Sequence, residues 1–329
     1  MKEIEIETFL KPMGEGVTRP ALVIGNDYNE YILKNEDVDE DGKLVKYNCM
    51  FVNELLAFQI GKFLDVPMPE AVIALIDSTL IEGDPTIRFA YRFKAGKYFG
   101  TEKLKQIENN YIDNYRELAN MNKPYISKSW NKFFKNIENK KDIPKILAFD
   151  LLIANFDRYI NTGNILVNRE KKDMRNIYAI DHGHAFFGPI WNEYKIDCLG
   201  IKQITEEYVA WYCTIILNEI RRSGPFGSGT IFGVLENYVN LEDVQNHSFS
   251  DIIIKMRSIN ENIIREWCNN IPNDWYIDKE MQVIYYTNFL MKQKDTVEQI
   301  IQMLANNNAF TNYRGGILRY ETCEERNLI

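Results

Sequence analysis

The stretch Phe149-Asp-Leu-Leu-Ile-Ala-Asn155-Phe-Asp157-Arg158-Tyr-Ile-Asn161-Thr-Gly163-Asn164-Ile-Leu-Val-Asn168, answered downstream by Ile177-Tyr-Ala-Ile-Asp181-His-Gly183, decides the fold. Its first part is an apolar, helix-like run that leads into a loop crowded with Asp, Arg, Asn and Gly. A short apolar strand follows, then a turn and a second apolar strand that ends on a carboxylate and a glycine. The apolar segments on both sides must be buried, so the polar groups between them are placed and not merely tolerated. Asp157, Asn164 and Asp181 therefore form a polar trio at the ends of buried elements.

Working outward, the chain of 329 residues is long enough for two lobes and a sizeable core. Its 45% hydrophobic and 13% aromatic content is that of an ordered globular protein. Basic residues number 39 against 47 acidic, a net charge of −8, which argues against a nucleic-acid backbone as the main partner. The five cysteines, Cys49, Cys198, Cys213, Cys268 and Cys323, are dispersed without metal-ligand spacing, so neither a disulfide framework nor a zinc site is expected. The N-terminus alternates charged and apolar residues and lacks the apolar core of a signal peptide. No run approaches the roughly 20 apolar residues that span a bilayer. The expectation is a cytoplasmic protein that does not engage a membrane.

The first ninety-odd residues carry strand signals. Ile4, Ile6 and Phe9 lead into a turn-rich loop from Lys11 to Pro20. Ala21-Leu-Val-Ile reads as a strand, Gly25-Asn26-Asp27 as a hairpin turn, and Tyr31 to Lys34 as the returning strand. Asn35 to Lys46 reads as a polar surface loop, and Asn48 to Leu64 as a helix with Phe51, Leu55 and Phe58 on one face. Ala71 to Ile76 and Ile87 to Phe93 read as two more strands, and Lys94-Ala95-Gly96 as a linker. Beyond it the pattern is helical: Thr101 to Asn110, Ser129 to Ile137, Pro144 to Ala154, Thr205 to Ile220, Leu241 to Ile259, Asn260 to Asn269, Asp278 to Lys294 and Asp295 to Ala305. Arg222 to Gly229 reads as a loop, and the tail from Asn306 as loosely ordered. The fold class expected is α+β in two lobes, a small β-rich lobe over residues 1–95 and a larger helical one over 96–329, with a cleft between them.

Phosphoryl transfer uses one carboxylate to orient the attacking hydroxyl, and an Asn and an Asp to hold Mg²⁺ on the phosphates, which is what the trio offers. Lys34, at a strand end, could reach nucleotide phosphates if a carboxylate from the next helix held it, and Glu54 is the candidate. Glycines Gly14 and Gly16 could bring backbone N–H groups to phosphate oxygens, although the loop has neither Walker nor full GxGxxG spacing and reads equally as a plain turn. Each part has a plainer reading: a solvated Lys34 and Glu54, and an Asp–Arg ion pair with turn asparagines. His182 and His184, two apart with no third ligand nearby, fit hydrogen-bonded structural roles better than zinc. A nucleophilic triad has no Gly-x-Ser-x-Gly to support it.

Asn155-Phe-Asp157-Arg158, Asn164-Ile-Leu and Ile180-Asp181-His-Gly183 resemble the catalytic and metal-binding motifs of HipA-like kinases, which are shared more loosely with phosphatidylinositol kinases and aminoglycoside phosphotransferases. Glu30 to Lys34, Asn53-Glu54-Leu-Leu-Ala and Val66-Pro67-Met-Pro69 are similar to that family's nucleotide-binding lobe. Ile271 to Trp275, followed by a long helix, looks like its compact branch. The resemblance implies a two-lobed, protein-kinase-like fold using ATP and Mg²⁺. It implies Asp157 as the catalytic aspartate, Asn164 and Asp181 as metal ligands, Lys34 on the ATP phosphates, and the strand with Phe89 and Tyr91 as the hinge around adenine. Two departures stand out. Tyr159 replaces the usual His after Asp-Arg, and the loop to Asn164 is two residues longer than the common spacing, which makes Asn161 a rival metal ligand.

The function expected is a serine/threonine kinase transferring the γ-phosphoryl of ATP to a protein hydroxyl, its own included. The alternatives are a catalytically weak nucleotide-binding regulatory module, bound by a small antitoxin-like protein, and a small-molecule phosphotransferase.

Overall fold

The computed structural model describes residues 1–13, 18–40, 42–108, 133–160, 162–171, 174–221 and 229–320. In chain order the first lobe holds β1 (Lys2–Pro12), β2 (Ala21–Gly25), β3 (Glu30–Leu33), β4 (Asp37–Glu40), β5 (Lys43–Lys46) and α1 (Met50–Phe63). After these come β6 (Ala71–Ile76), the short helices α2 (Ser78–Gly83) and α3 (Thr86–Phe89), and β7 (Gly96–Glu102). Period-two patterning explains the sheet: Ile4 and Ile6 are buried between exposed Glu3, Glu5 and Glu7. A register shift after Ile6 breaks the alternation and turns Phe9 inward as well. The strands close into a barrel in the order β1-β2-β3-β7-β6, filled by Ile4, Ile6, Phe9, Val23, Tyr31 and Leu33 with side chains of β6.

Register fixes which ends of the strands lie together. β1 runs parallel to β6, and each of the other neighbouring pairs is antiparallel. One end of the barrel therefore gathers the loop after Pro12, the exit of β3 at Lys34, and the connection from Ile76 to Gly96. The opposite end gathers the Gly25–Glu30 turn and the exit of β7, where Lys103 N donates to Glu30 O at 3.0 Å.

Three expectations about this lobe are corrected. Ile87 to Phe93 is not a strand: the Asp84 carboxylate accepts from Thr86 N at 3.0 Å and starts a helical turn. Its alternating apolar residues instead drop Ile87 and Phe93 into the end of the barrel as a cap. The fifth barrel strand is Gly96–Glu102, where a linker and the start of a helix were expected, so the first lobe runs to Glu102 and not to residue 95. Asn35 to Lys46 is no simple loop but contains the β4–β5 hairpin.

The second lobe contains α4 (Ile143–Leu152), α5 (Asp157–Ile160), the hairpin β8 (Ile165–Lys171) and β9 (Met174–Ala179), α6 (Glu193–Leu199), α7 (Glu206–Arg221), α8 (Gly229–Leu235), α9 (Ser250–Arg257), α10 (Glu261–Asn269) and α11 (Lys279–Asn306). Only Ser250–Arg257 of the helix expected from Leu241 is helical. The two helices expected after Asp278 are one helix of 28 residues, because buried Thr296, Val297, Ile300 and Ile301 continue its apolar stripe with no breaker at Asp295. Of the helix expected over Ser129–Ile137 the first four residues lie outside the described residues, as does the loop at Arg222–Gly229 up to its last residue. Up to residue 320 the tail is pinned, with Thr311 Oγ1 on Glu236 Oε1 at 2.9 Å and Leu318 N on Gln302 Oε1 at 2.8 Å. No helix among the described residues is long and apolar enough to cross a membrane.

α1 is buried on nearly every side, from Met50 to Gly61, because it lies between the barrel and the second lobe. The core is continuous through it: Leu55 and Phe58 of α1 belong to the same cluster as Phe149 of α4 and Tyr286 of α11.

Candidate functional site

Lys34 leaves β3 with its backbone N–H on Phe99 O at 3.1 Å, which fixes where its side chain starts. Its ammonium donates to Glu54 Oε1 of α1 and to Asp181 Oδ1, the latter at 2.7 Å. Glu54 is not the solvated helix-flank charge of the plainer reading; it is buried and also accepts His182 N at 3.1 Å. Burial works against the Lys34 ammonium, but the Asp181 and Glu54 carboxylates outweigh it and raise its pKa. Burial alone would raise Asp181, yet Lys34 holds its carboxyl down at about 2. Burial dominates at Glu54 and pushes its carboxyl up.

The second half of the site hangs from the end of α4. Leu151 O there accepts Tyr212 OH at 2.7 Å and Gln293 Nε2 at 2.8 Å, so the end of the helix is tied to α7 and α11. The backbone reverses at Ala154 (φ 48°), and α5 follows. Arg158 then turns inward to a fully buried position. Its Nε donates to Asp150 Oδ2 at 2.6 Å, its Nη1 to Asn164 O and to Ile180 O at 3.1 Å, and its Nη2 to His182 Nε2 at 2.9 Å. Burial and the Arg158 charge lower the His182 pKa far below its ordinary value, so the ring is neutral and accepts that bond. One guanidinium thus clamps the carbonyls just before β8 and just before Asp181. The hairpin register, Ile165 opposite Ala179, brings the same two points together, and Ile180 N closes on Asn164 O at 3.1 Å. Asn164 Nδ2 donates to Asp157 Oδ2 at 2.6 Å. Burial pushes the Asp157 carboxyl up, against the opposing pull of His184.

The turn after Asp181 is strained and heavily supported. Asp181, Phe186 and Phe187 all have positive φ, at 60°, 55° and 65°. Each such residue costs on the order of 1–3 kcal/mol and persists only where its surroundings insist on it. Here Phe186 packs on Tyr286 with ring centroids 5.1 Å apart, and Phe187 on Phe289 at 5.4 Å. Asn53 Nδ2 gathers the carbonyls of Gly183, Ala185 and Gly188 at 2.7, 2.9 and 3.0 Å. The Asn53 Oδ1 in turn accepts from Lys195 Nζ and Tyr286 OH. A Cβ on Gly183 would lie 2.6 Å from Met50 Cγ, so only glycine lets this turn sit so close to α1.

The structure therefore brings Lys34, Glu54, Asp181, Asn164 and Asp157 together from five elements. Gly14, Gly16 and Asn161 lie outside the described residues. Phe89 and Tyr91 do not flank a crossing between lobes: they sit in the cap at the Lys34 end of the barrel, Phe89 exposed and Tyr91 packed on Phe9 at 5.1 Å. The chain crosses from the other end, through the segment after Glu102 that bridges to β8 at Ile107–Asn168. Sequence reasoning gave no role of their own to Asp150, Asn53 or Lys195. A lone carboxylate inside an apolar helix was a visible signal for Asp150, whereas Lys195 carried none.

Among the described residues no three His, Cys, Asp or Glu side chains cluster as a ready metal cage. What the site offers is oxygen: the carboxylates of Asp157 and Asp181 and the amide of Asn164. That donor set suits Mg²⁺, a hard cation usually held by one or two carboxylates together with the phosphates of a substrate.

Comparison with known proteins bears on the fold and the family. The solved structure of the proinflammatory kinase CtkA from Helicobacter pylori is similar, with a TM-score of 0.52 and 12% identity over 92% of this chain and 98% of that one. A MAP kinase from Leishmania major aligns with a TM-score of 0.24 and 12% identity over 96% of this chain and 89% of that one. No curated protein sequence matches. The profile described as HipA-like kinase matches residues 6–198. That span, more than half of the chain, holds most of the barrel, α1, the Asp157 loop and the Asp181 turn, so the chain belongs to the HipA-like kinase family.

Proposed function

We propose that the chain is an ATP- and Mg²⁺-dependent kinase that transfers the γ-phosphoryl group to a protein Ser or Thr hydroxyl. The observation that carries this reading is the Lys34 ammonium held between Glu54 and Asp181, with the Asp157–Asn164 pair beside it. Lys34 is positioned to bind nucleotide phosphate oxygens, and Glu54 keeps it aimed when Asp181 is otherwise engaged. Asn164 and Asp181 would hold the Mg²⁺, which when bound neutralises charge on the phosphates. Asp157 accepts the hydrogen bond of the acceptor hydroxyl and takes its proton as the oxygen–phosphorus bond forms and the bond to the departing ADP breaks. Catalysis on this plan is mostly positioning and charge stabilisation.

The test is transfer of labelled phosphate from ATP to protein, the chain itself included. Asp157→Ala should lose transfer by about 10²–10⁴-fold while circular dichroism and melting temperature show the protein folded. Full activity in that variant would remove Asp157 from the role. Phosphate appearing only on small molecules would keep the chemistry and change the acceptor.

A further inference from the structure

The capped end of the barrel carries a hollow of about 470 Å³, bounded by Asp39 and Leu44 of the β4–β5 hairpin and by Arg88, Phe89, Arg92 and Lys94 of the cap. Phe93, fully buried in the barrel, is its floor. At its rim Leu44 is 66% exposed and Phe89 78% exposed. A single exposed apolar side chain is ordinary, but two large ones lining one hollow mark a contact surface.

The charges on the rim are incompletely matched. Arg88 makes no ion pair among the described residues; its guanidinium lies over the Phe89 ring at 5.9 Å. Arg92 reaches Asp39, and Lys94 reaches Asp37, only at 3.7 Å each. A chain of net charge −8 thus presents three cations against two carboxylates here, beside exposed apolar groups.

The hollow also adjoins the site. Asn35, next to Lys34, donates to Arg92 O at 2.9 Å and accepts Asp37 N at 3.0 Å, tying the hairpin to the cap. Arg19, near the start of β2, reaches Asp39 at 3.3 Å. The hollow therefore opens at the barrel end where Lys34 emerges, and away from the end where the chain crosses between lobes.

We propose that this hollow is a docking groove for the protein acceptor, taking a short segment that presents a large apolar side chain next to carboxylates. Apolar anchoring on Leu44 and Phe89 and charge pairing with Arg88 would hold the segment beside the phosphate end of the cleft. The proposal rests on the kinase reading for what the groove is for, but not for whether it binds.

Two labelled synthetic peptides with the same Phe and Leu content and one Ser test it, one flanked by Asp and Glu and the other by Lys and Arg. Anisotropy without nucleotide should show saturable binding of the acidic peptide and none of the basic one. Arg88→Glu and Leu44→Ala should each weaken binding by about tenfold, with affinity for an ATP analogue unchanged. Arg88→Glu should also gain affinity for the basic peptide. The groove is refuted if neither peptide saturates, if the variants bind as wild type does, or if an ATP analogue displaces the peptide. It is equally refuted if wild type sediments as a dimer that the variants dissolve, since a second copy would then be the occupant. Acidic peptide bound but never phosphorylated would count against the kinase reading and leave the groove standing. Phosphate transfer indifferent to flanking charge would do the reverse.

Discussion

Arg158 and Lys34 are both cations set against carboxylates inside the protein, and their surroundings differ in kind. Arg158 is 1% exposed at its side chain and its partner Asp150 is closed off entirely. Its remaining donors go to two carbonyls and a neutral His182. Lys34 is 14% exposed, its two carboxylates come from different lobes, and one of them, Asp181, is 36% exposed. A phosphate arriving at Lys34 can displace Asp181 without stranding a buried charge, because Asp181 reaches solvent. Nothing can replace Asp150 for Arg158 on those terms. A buried ion pair closed at both ends acts as scaffold, and one open at one end can act as a site.

Arg158→Met breaks the closed pair and gives the largest effect expected. Asp150 is left buried without a counter-charge, and the carbonyls of Asn164 and Ile180 lose their clamp. Removing one partner of such a pair costs about 3–5 kcal/mol, which urea unfolding would read directly. A loss below about 1 kcal/mol, the range of an exposed pair, would mean that the two cations do not differ as described.

Lys34→Met should show the opposite profile. Phosphate transfer should fall by about 10²–10³-fold, the usual loss when one charge-stabilising donor is removed. The unfolding midpoint should move less than in Arg158→Met. Glu54, whose carboxyl burial already pushes up, can take a proton and still accept His182 N, and Asp181 can turn to water. Equal destabilisation in the two variants would erase the distinction between scaffold and site.

The same contrast explains how much could be read from sequence. Asp157, Asn164 and Asp181 were legible because polar residues between obligatorily buried segments have few places to go. Lys34 and Glu54 were legible as a pair only in the company of that trio; in isolation a strand-end lysine and a helix-flank glutamate are ordinary surface residues. The cap was misread because Ile87-Arg-Phe-Ala-Tyr-Arg-Phe93 has a strand's alternation, and the turn in which Asp84 accepts Thr86 N decides locally against it. The Asn53–Lys195 contact spans 142 positions and leaves no periodic trace in either segment. The aspartate inside α4 was visible but had no assigned partner until the loop folded back on it.

Lys195 supplies a third case, a buried cation with no carboxylate within ion-pair distance among the described residues, and the smallest effect expected. Its ammonium is fully buried and donates only to Gly188 O at 2.7 Å and Asn53 Oδ1 at 3.1 Å, with the Tyr286 ring 5.4 Å away. Burial lowers its pKa from 10.5 to about 8. Below about 8 the lysine is protonated whether the chain is folded or not. Between about 8 and 10.5 the unfolded chain holds a proton that the folded chain has released, so this group's contribution to stability rises with pH. Buried thiols and phenols titrate nearby, so the reading is the difference between wild type and Lys195→Met. That difference should shift in favour of wild type as the pH is raised through this window, by at most about 1.4 kcal/mol per unit. A flat difference would mean that the two oxygens and the ring solvate the ammonium as well as water does, and that a cation can be closed in here without a carboxylate at all.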